Sequence, residues 1–303
     1  MQMQAVGRSS AWGTAALSMG AGILVAVLWS FHMVDGVIGD NVANTLLGVN
    51  AKQVDLASAT ALFGLAFSFV AGLAGTFTAC NCVVFSCIAP LTAAKDRVNT
   101  IWRNLGWMGL GVVVVTALYG IAGAVWGHSI PILSTARLPI GSGYPVYLAQ
   151  STVVFVLLGA FMLWWGLQVA GVLPDYLERL SAARPWFKPL LLGLLVGCFT
   201  LGRPFPLFRR AFELVAETHN PLYGAGALAL HGLGNVVVVA LLMLGLVYLP
   251  GGRFVRWVQA NPGKMAAISA VSMIVGGAFF LAYWGFRVPS YFGVGWFPHM
   301  PYR

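Results

Sequence analysis

The sequence predicts an all-α polytopic membrane protein with about seven transmembrane helices. Two observations predict this class. Hydrophobic residues make up 59% of the 303 residues and charged residues only 8%, whereas a soluble domain carries roughly 25% charged residues. Seven apolar stretches also reach the roughly 20 residues that a helix needs to cross a bilayer. Polar surface is therefore too scarce for folding in water, and we expect the lipid bilayer to cover much of the chain.

The predicted elements follow one another along the whole chain. The first span, 11–33, is interpreted as a retained helix, because no clear signal-peptide cleavage site follows it. The polar segment 36–56 is predicted to be an exposed loop or an interfacial helix. The other predicted spans lie at 57–79 (with an apolar extension to 92), 105–127, 145–171, 188–211, 221–250 and 265–286.

The distribution of basic residues predicts the orientation of the bundle. The net charge is +9, and the basic residues cluster between the apolar runs, which suits anionic lipid headgroups better than nucleic acid. By the positive-inside rule, the N-terminus is predicted to be cytoplasmic and the C-terminus extracytoplasmic. One side carries Arg8, Lys95, Arg97, Arg103, Arg179, Arg184, Lys188, Arg253, Arg256 and Lys264; the other carries Lys52, Arg137, Arg287 and Arg303; Arg203, Arg209 and Arg210 are left unassigned.

An internal repeat organises the chain. The second span ends in GTFTACNCVVFSCIAPL and the fifth in GCFTLGRPFPLF, so each joins Phe-Thr to a Pro-containing break. A Gly-rich apolar helix and a third helix follow each break. Because three is odd, the second three-helix unit enters from the opposite face, as in an inverted repeat with broken first helices. The predicted organisation is an N-terminal helix and loop at 1–56, a first repeat at 57–171, and a second repeat with an extracytoplasmic tail at 172–303.

Cysteines mark the first break. Cys80, Cys82 and Cys87 lie close together beside Pro90, and Cys198 lies on the fifth span. Thiol–disulfide exchange needs a thiolate that a partner can reach, and a broken helix open to a water-filled cavity provides one. The same three cysteines could instead bind a soft metal, or the cysteines could serve as small apolar residues.

Polar residues mark the second break and the helix after it. Arg203, followed by Pro204 and Pro206, either faces a cavity, where it would hold an anion, a quinone oxygen or a thiolate, or extends to the interface. His231 and Asn235 lie one turn apart and could line the same cavity, or they could make interhelical hydrogen bonds. His32, at the end of the first span, and His231 could also ligate a haem, although their spacing does not require one.

Two short motifs carry a family resemblance. Ser86-Cys87-Ile88-Ala89-Pro90-Leu91 and Leu228-Ala229-Leu230-His231-Gly232-Leu233-Gly234 resemble elements of the CcdA/DsbD family of membrane thiol–disulfide electron carriers, over roughly residues 57–286. The resemblance implies a protein of the bacterial cytoplasmic membrane without a resident cofactor. It would pass reducing equivalents from cytoplasmic thioredoxin to extracytoplasmic thiol proteins that serve cytochrome c maturation or disulfide reduction. In the family, one cysteine from each broken element forms the redox pair.

The chain departs from this pattern at the second element, where Arg203 stands in place of the second cysteine. Cys87 would therefore have to pair with Cys80, Cys82 or Cys198. Two other classes of function remain open. One is a transporter of a soft metal or a small solute. The other is a non-catalytic membrane subunit of a larger redox complex.

Overall fold

A computed structural model describes residues 8–30, 40–48, 60–76, 98–248 and 260–298, with single positions at 33, 37, 38, 50, 51, 53, 256 and 257. Most of the described residues lie in helices. In chain order the helices are α1 (Arg8–Leu28), α2 (Asp40–Leu47), α3 (Ala61–Gly75), α4 (Val98–Trp126), α5 (Val146–Val169), α6 (Tyr176–Ala183), α7 (Phe187–Leu201), α8 (Pro206–Thr218), α9 (Pro221–Tyr248), α10 (Pro262–Ala282) and α11 (Val288–Ser290).

The described residues confirm a multi-pass, all-α membrane protein. Five helical segments are long and apolar enough to cross a membrane, and a sixth is added if α7 and α8 are counted as one bent span. α3 is apolar but has only 15 residues, and the rest of the predicted second span lies outside the described residues. The five segments are Ala11–Leu28, Trp102–Ser129, Val146–Val169, Pro221–Leu242 and Pro262–Ser290.

The predicted fifth span, 188–211, is broken and is not one straight helix. α7 ends at Leu201, α8 begins at Pro206, and the two helix axes are bent by 86°. Two prolines explain the break, because proline lacks the N–H that a helix needs and pushes the residue before it into an extended conformation. The broken Pro-containing stretch was predicted, and α7 and α8 are apolar and long enough for a span only when they are counted together.

Glycines bring the helix backbones into direct contact at two matching places. A Cβ added to Gly193 on α7 would lie less than 3.0 Å from the carbonyl oxygen of Met108 on α4. A Cβ added to Gly72 on α3 would lie equally close to the carbonyl oxygen of His231 on α9. Real Cβ atoms essentially never come so close, so α4 packs on α7, and α9 packs on α3, through glycine.

Two further glycine pairs bring helix backbones of the bundle into direct contact. Gly120 on α4 faces Gly224 on α9, and each blocks space for a side chain on the other. Gly159 on α5 and Gly277 on α10 are related in the same way, with added Cβ atoms 2.9 and 2.7 Å from the opposing carbonyl oxygens. Small residues of this kind let membrane helices approach closely and gain van der Waals contact.

The first helix is part of this bundle. α1 packs on α10, where Gly22 lies against the backbone at Val275. A π-helix, Tyr283–Arg287, follows α10, and the buried Arg287 at its end donates from Nη1 to the carbonyl oxygen of Ala26. α1 and α10 are therefore held together both by close packing and by a hydrogen bond from a charged group.

A compact cap, residues 127–145, lies between the C-terminal end of α4 and the N-terminal end of α5. Two 3₁₀ turns, Gly127–Ser129 and Pro131–Leu133, lead into a small antiparallel hairpin of β1 (Arg137–Leu138) and β2 (Tyr144–Pro145). The N–H of Ser142 donates to the carbonyl oxygen of Phe292 in the C-terminal segment at 2.8 Å. The Tyr144 hydroxyl shares a hydrogen bond with Thr152 at 2.7 Å, and burial raises the pKa of this phenol.

The polar segment after the first span contains a short helix, α2. α2 covers eight residues and packs against α3. Arg210 on α8 donates to the carbonyl oxygen of Ala51, and the Arg209 guanidinium lies 4.6 Å from the ring centre of Tyr147. Two of the three arginines left unassigned by the charge distribution, Arg209 and Arg210, therefore lie at the same end of the bundle as residue 51 and the start of α5.

Candidate functional site

Arg203 lies inside the bundle at the break between α7 and α8. Its side chain is only 1% exposed, which decides against an arginine that extends to the interface. Its backbone N–H bonds to the carbonyl oxygen of Thr200 at 3.4 Å and ends the helical turn. A charged side chain in a span is costly unless partners compensate it, so the contacts of this guanidinium define the site.

The guanidinium of Arg203 joins three helices. Nη1 donates to Oδ1 of Asn235 on α9 at 2.8 Å and lies 3.5 Å from Nε2 of His231 one turn earlier. Nη2 donates to the carbonyl oxygen of Gly75, the last residue of α3, at 3.2 Å. Arg203 therefore links the α7–α8 break to α9 and to the end of α3.

The second contact of His231 assigns its tautomer. Nδ1 lies 3.1 Å from the carbonyl oxygen of Ser68 on α3, and because a carbonyl only accepts, Nδ1 carries the hydrogen. The lone pair of Nε2 then faces Nη1 of Arg203. The ring also packs against Phe208 with the ring centres 4.9 Å apart. Both nitrogens are engaged, so His231 does not fit the role of a haem ligand in this arrangement, and His32 lies outside the described residues.

The end of α3 is shaped to receive the guanidinium. A Cβ at Gly75 would lie less than 3.0 Å from Nη1 of Arg203 and 3.1 Å from Oδ1 of Asn235, so a larger residue would displace the arginine. Thr76, which is fully buried, donates from Oγ1 toward the carbonyl oxygens of Asn235 at 3.1 Å and Gly234 at 3.4 Å. Gly75 thus accepts from Arg203, and the next residue, Thr76, binds the backbone of α9.

The structure brings some of the predicted site residues together and separates others. Arg203, His231 and Asn235 form one buried cluster that is joined by interhelical hydrogen bonds, and their cavity-lining role stays a prediction. Pro206 instead starts α8 and is exposed. Cys198 is half-buried with a free thiol, and it packs against the apolar cluster around Phe155. The remaining predicted residues, Cys80, Cys82, Cys87 and Pro90, lie outside the described residues.

Several polar residues of the site were not predicted from the sequence. Gln150 on α5 donates from Nε2 to the carbonyl oxygen of Leu201, at the end of α7, and to the hydroxyl of Tyr119 at 2.9 Å. This side chain caps a carbonyl that the helix break would otherwise leave without an intrahelical partner. A glutamine within an apolar span was the available signal, because such residues commonly bond between helices.

The chemistry available to the described cluster is limited. Within the parts of the chain that the structure describes, no three His, Cys, Asp or Glu side chains are grouped so that they could hold a metal ion. The cluster offers a fixed positive charge, a neutral imidazole and a carboxamide. Such groups can orient or stabilise an anion, but they supply no electron carrier of their own.

Comparisons with known proteins leave the site without a related example. No family model matches the chain, and neither a characterised protein nor a solved structure is significantly similar to it. The resemblance to the CcdA/DsbD family therefore rests on the short motifs described above, and what it implies about function is a proposal.

Proposed function

We propose that this protein transfers reducing equivalents across the membrane by thiol–disulfide exchange. The observation that carries the proposal is the hydrogen bond from Arg203 to the carbonyl oxygen of Gly75 at 3.2 Å. Gly75 precedes Cys80 by five residues in the chain, so the bundle holds a positive charge against a residue that lies shortly before the thiol-rich segment in the sequence. A nearby cation stabilises the thiolate, which is the nucleophilic form of cysteine.

The proposed reaction needs one disulfide in this protein, a thiol donor on the cytoplasmic face and a disulfide acceptor on the extracytoplasmic face. A thiolate of a reduced thioredoxin-like protein on the cytoplasmic face attacks the disulfide, giving a mixed disulfide and releasing one thiolate of the carrier. The donor's second thiolate resolves the mixed disulfide, so two electrons reach the carrier and the donor becomes oxidised. The reduced pair then reduces a disulfide of an extracytoplasmic thiol or cytochrome-maturation protein by the same two steps.

We place the redox pair among Cys80, Cys82 and Cys87. Cys198 is half-buried against apolar side chains, while the polar contacts of Arg203 are made with α3 and α9. In this proposal Arg203 replaces the second cysteine of the family pattern with a charge that favours the thiolate.

We also propose that the bundle is one added helix on an inverted repeat of two three-helix units. Met108 and His231 each directly precede a Gly-Leu-Gly sequence on the second helix of their unit. Each carbonyl oxygen is approached by one glycine, Gly193 or Gly72, on the first helix of the other unit. The pairs Gly120–Gly224 and Gly159–Gly277 relate corresponding helices of the two units. Exchanging the units leaves this set of helix contacts unchanged, which supports the repeat.

The proposed orientation keeps the N-terminus in the cytoplasm of a bacterial inner membrane. Arg209 and Arg210 contact Tyr147 and Ala51, which belong to the side predicted to be extracytoplasmic. Counting both there raises that side from four basic residues to six, against ten on the cytoplasmic side. The excess still follows the positive-inside rule.

Reconstitution tests the proposed reaction. Proteoliposomes would contain a reduced thioredoxin-like donor inside and a disulfide reporter protein outside. We expect reporter reduction with the wild-type chain and with Cys198→Ser, and its loss with Cys87→Ser. Reduction that is equal in liposomes lacking the protein, or that survives removal of all four cysteines, would contradict the proposal.

A small-solute transporter is the second candidate. The buried Arg203–Asn235 pair at a helix break favours it, because transporters place binding groups at broken helices inside the bundle. Uptake of a labelled anionic solute that survives removal of all cysteines would favour this candidate. A soft-metal carrier would instead copurify with metal, and a non-catalytic subunit would copurify with partner proteins in mild detergent.

A further inference from the structure

The last turn of α3 is attached to the bundle differently from the rest of that helix. Up to Gly72, the backbone of α3 packs directly on α9, since added Cβ atoms at Gly72 and Gly234 would lie less than 3.0 Å from the carbonyl oxygens of His231 and Phe69. Beyond that point, Gly75 and Thr76 are attached to their neighbours through hydrogen bonds. The anchorage of the helix therefore changes within one turn.

Arg203 provides the contact from the opposite side. One flexible side chain reaches from the α7–α8 break to the carbonyl oxygen of Gly75 and to Oδ1 of Asn235. Gln150 and the bond from the Arg203 N–H to Thr200 fix the break from which the side chain extends. A rotation of the Arg203 side chain would therefore release Gly75 without moving α7 or α9.

We infer that the Arg203 side chain holds the last turn of α3 closed against α9 and the helix break. This turn opens as a local unit when the Arg203 side chain rotates away from it. The unit comprises residues 73–76. Glycine at position 75 favours such opening, because glycine weakens a helix. Opening admits water, or a reacting partner, to the buried cluster from the α3 side. The inference goes beyond the proposed function and holds equally for a carrier of electrons or of solutes.

Hydrogen exchange on the full chain in lipid nanodiscs tests whether Arg203 holds the last turn of α3 closed. Arg203→Met removes the guanidinium, and Arg209→Met is a matched control, because it removes a nearby arginine that lies over Tyr147. A lost hydrogen bond to a charged group corresponds to about a tenfold or greater change in an opening equilibrium. We expect amide exchange in residues 73–76 to rise by at least about tenfold in Arg203→Met and to stay at the wild-type rate in Arg209→Met, with protection in α4 and α7 retained in both.

Two outcomes would overturn the inference. Equal protection of residues 73–76 in Arg203→Met and Arg209→Met would show that Arg203 does not hold this turn. A parallel rise of exchange in α4, α7 and α9 would show that Arg203 stabilises the whole fold rather than one turn. If Arg203→Met does not fold, Asn235→Leu and Arg203→Lys are judged by the same comparison. Loss of reporter reduction in proteoliposomes leaves this result unaffected, so failure of the proposed function is distinguishable.

Discussion

The Arg203 guanidinium donates to the side-chain oxygen of Asn235 at 2.8 Å, across the gap between a broken helix and the helix that follows it. Both side chains are almost completely buried. A hydrogen bond with one charged partner in such surroundings is shorter and roughly twice as strong as a neutral one. This pair therefore determines where the positive charge lies, and the same guanidinium reaches the end of α3.

The space for this charge depends on a glycine. Gly75→Ala would place a Cβ against Nη1 of Arg203, and overpacking of this kind costs about 1–3 kcal/mol. We expect Gly75→Ala to lower the free energy of unfolding in detergent by that amount. Gly106→Ala is the control, because a Cβ there meets nothing within 4 Å, and alanine favours the helix by up to about 1 kcal/mol. Equal stability of the two variants would contradict the close contact.

A matched pair of substitutions can separate the hydrogen bonds of His231 from the packing of its ring. Glutamine can donate to the Ser68 carbonyl and accept from Arg203, whereas leucine can do neither. We expect His231→Leu to lower the free energy of unfolding by about 1–3 kcal/mol and His231→Gln to lower it by less. Met108→Leu, at the position of α4 that the proposed repeat matches to His231, is the control for side-chain size. Equal losses for His231→Gln and His231→Leu would show that the ring acts through its volume.

The proposed repeat predicts equal responses at two distant glycines. Gly72→Ala and Gly193→Ala each introduce a Cβ against the carbonyl oxygen of a residue before a Gly-Leu-Gly sequence. We expect losses of unfolding free energy that agree within about 1 kcal/mol, each in the range of about 1–3 kcal/mol. Gly20→Ala, where the added Cβ meets nothing within 4 Å, should cost little. A large loss at one glycine and none at the other would argue against equivalent units.

The class of fold could be predicted from the sequence because the composition of a membrane-spanning helix is almost sufficient to identify such a helix. The prolines after Arg203 also located the second break, since their effect on the backbone is local. The 86° bend between α7 and α8 was not predictable in the same way. α8 buries Phe208 and Phe212 in the bundle, and the direction in which a helix buries such side chains is a property of the packed bundle.

The candidate site was predicted in part for a similar reason. Arg203, His231 and Asn235 were recognisable because charged and polar side chains are rare inside spans. Gly75 contributes a backbone carbonyl, and Ser68 also contributes its carbonyl oxygen, so their side chains give no signal of the role. Gln150 was visible as a polar residue, but its target, the carbonyl of Leu201, exists only because the helix breaks there.

The cap at the ends of α4 and α5 predicts a response to alkaline pH. Burial raises the pKa of the Tyr144 phenol above its ordinary value of about 10. The folded cap favours the neutral phenol, so its contribution to stability is present below the unfolded pKa and is lost as the pH rises through the folded pKa. We expect Tyr144→Phe to reduce the loss of unfolding free energy above pH 10. Tyr176→Phe, at an exposed tyrosine on α6, is the control, and an identical pH profile in both variants would contradict this role.

Mass-tag alkylation of the four cysteines in native membranes, with and without prior reduction, tests the proposed thiol chemistry most directly. The proposed carrier predicts two additional tags after reduction in the wild-type chain and in Cys198→Ser, and none in Cys87→Ser. Four thiols that react fully without reduction, under conditions that oxidise a control disulfide protein in the same membranes, would contradict a redox-active pair in this protein.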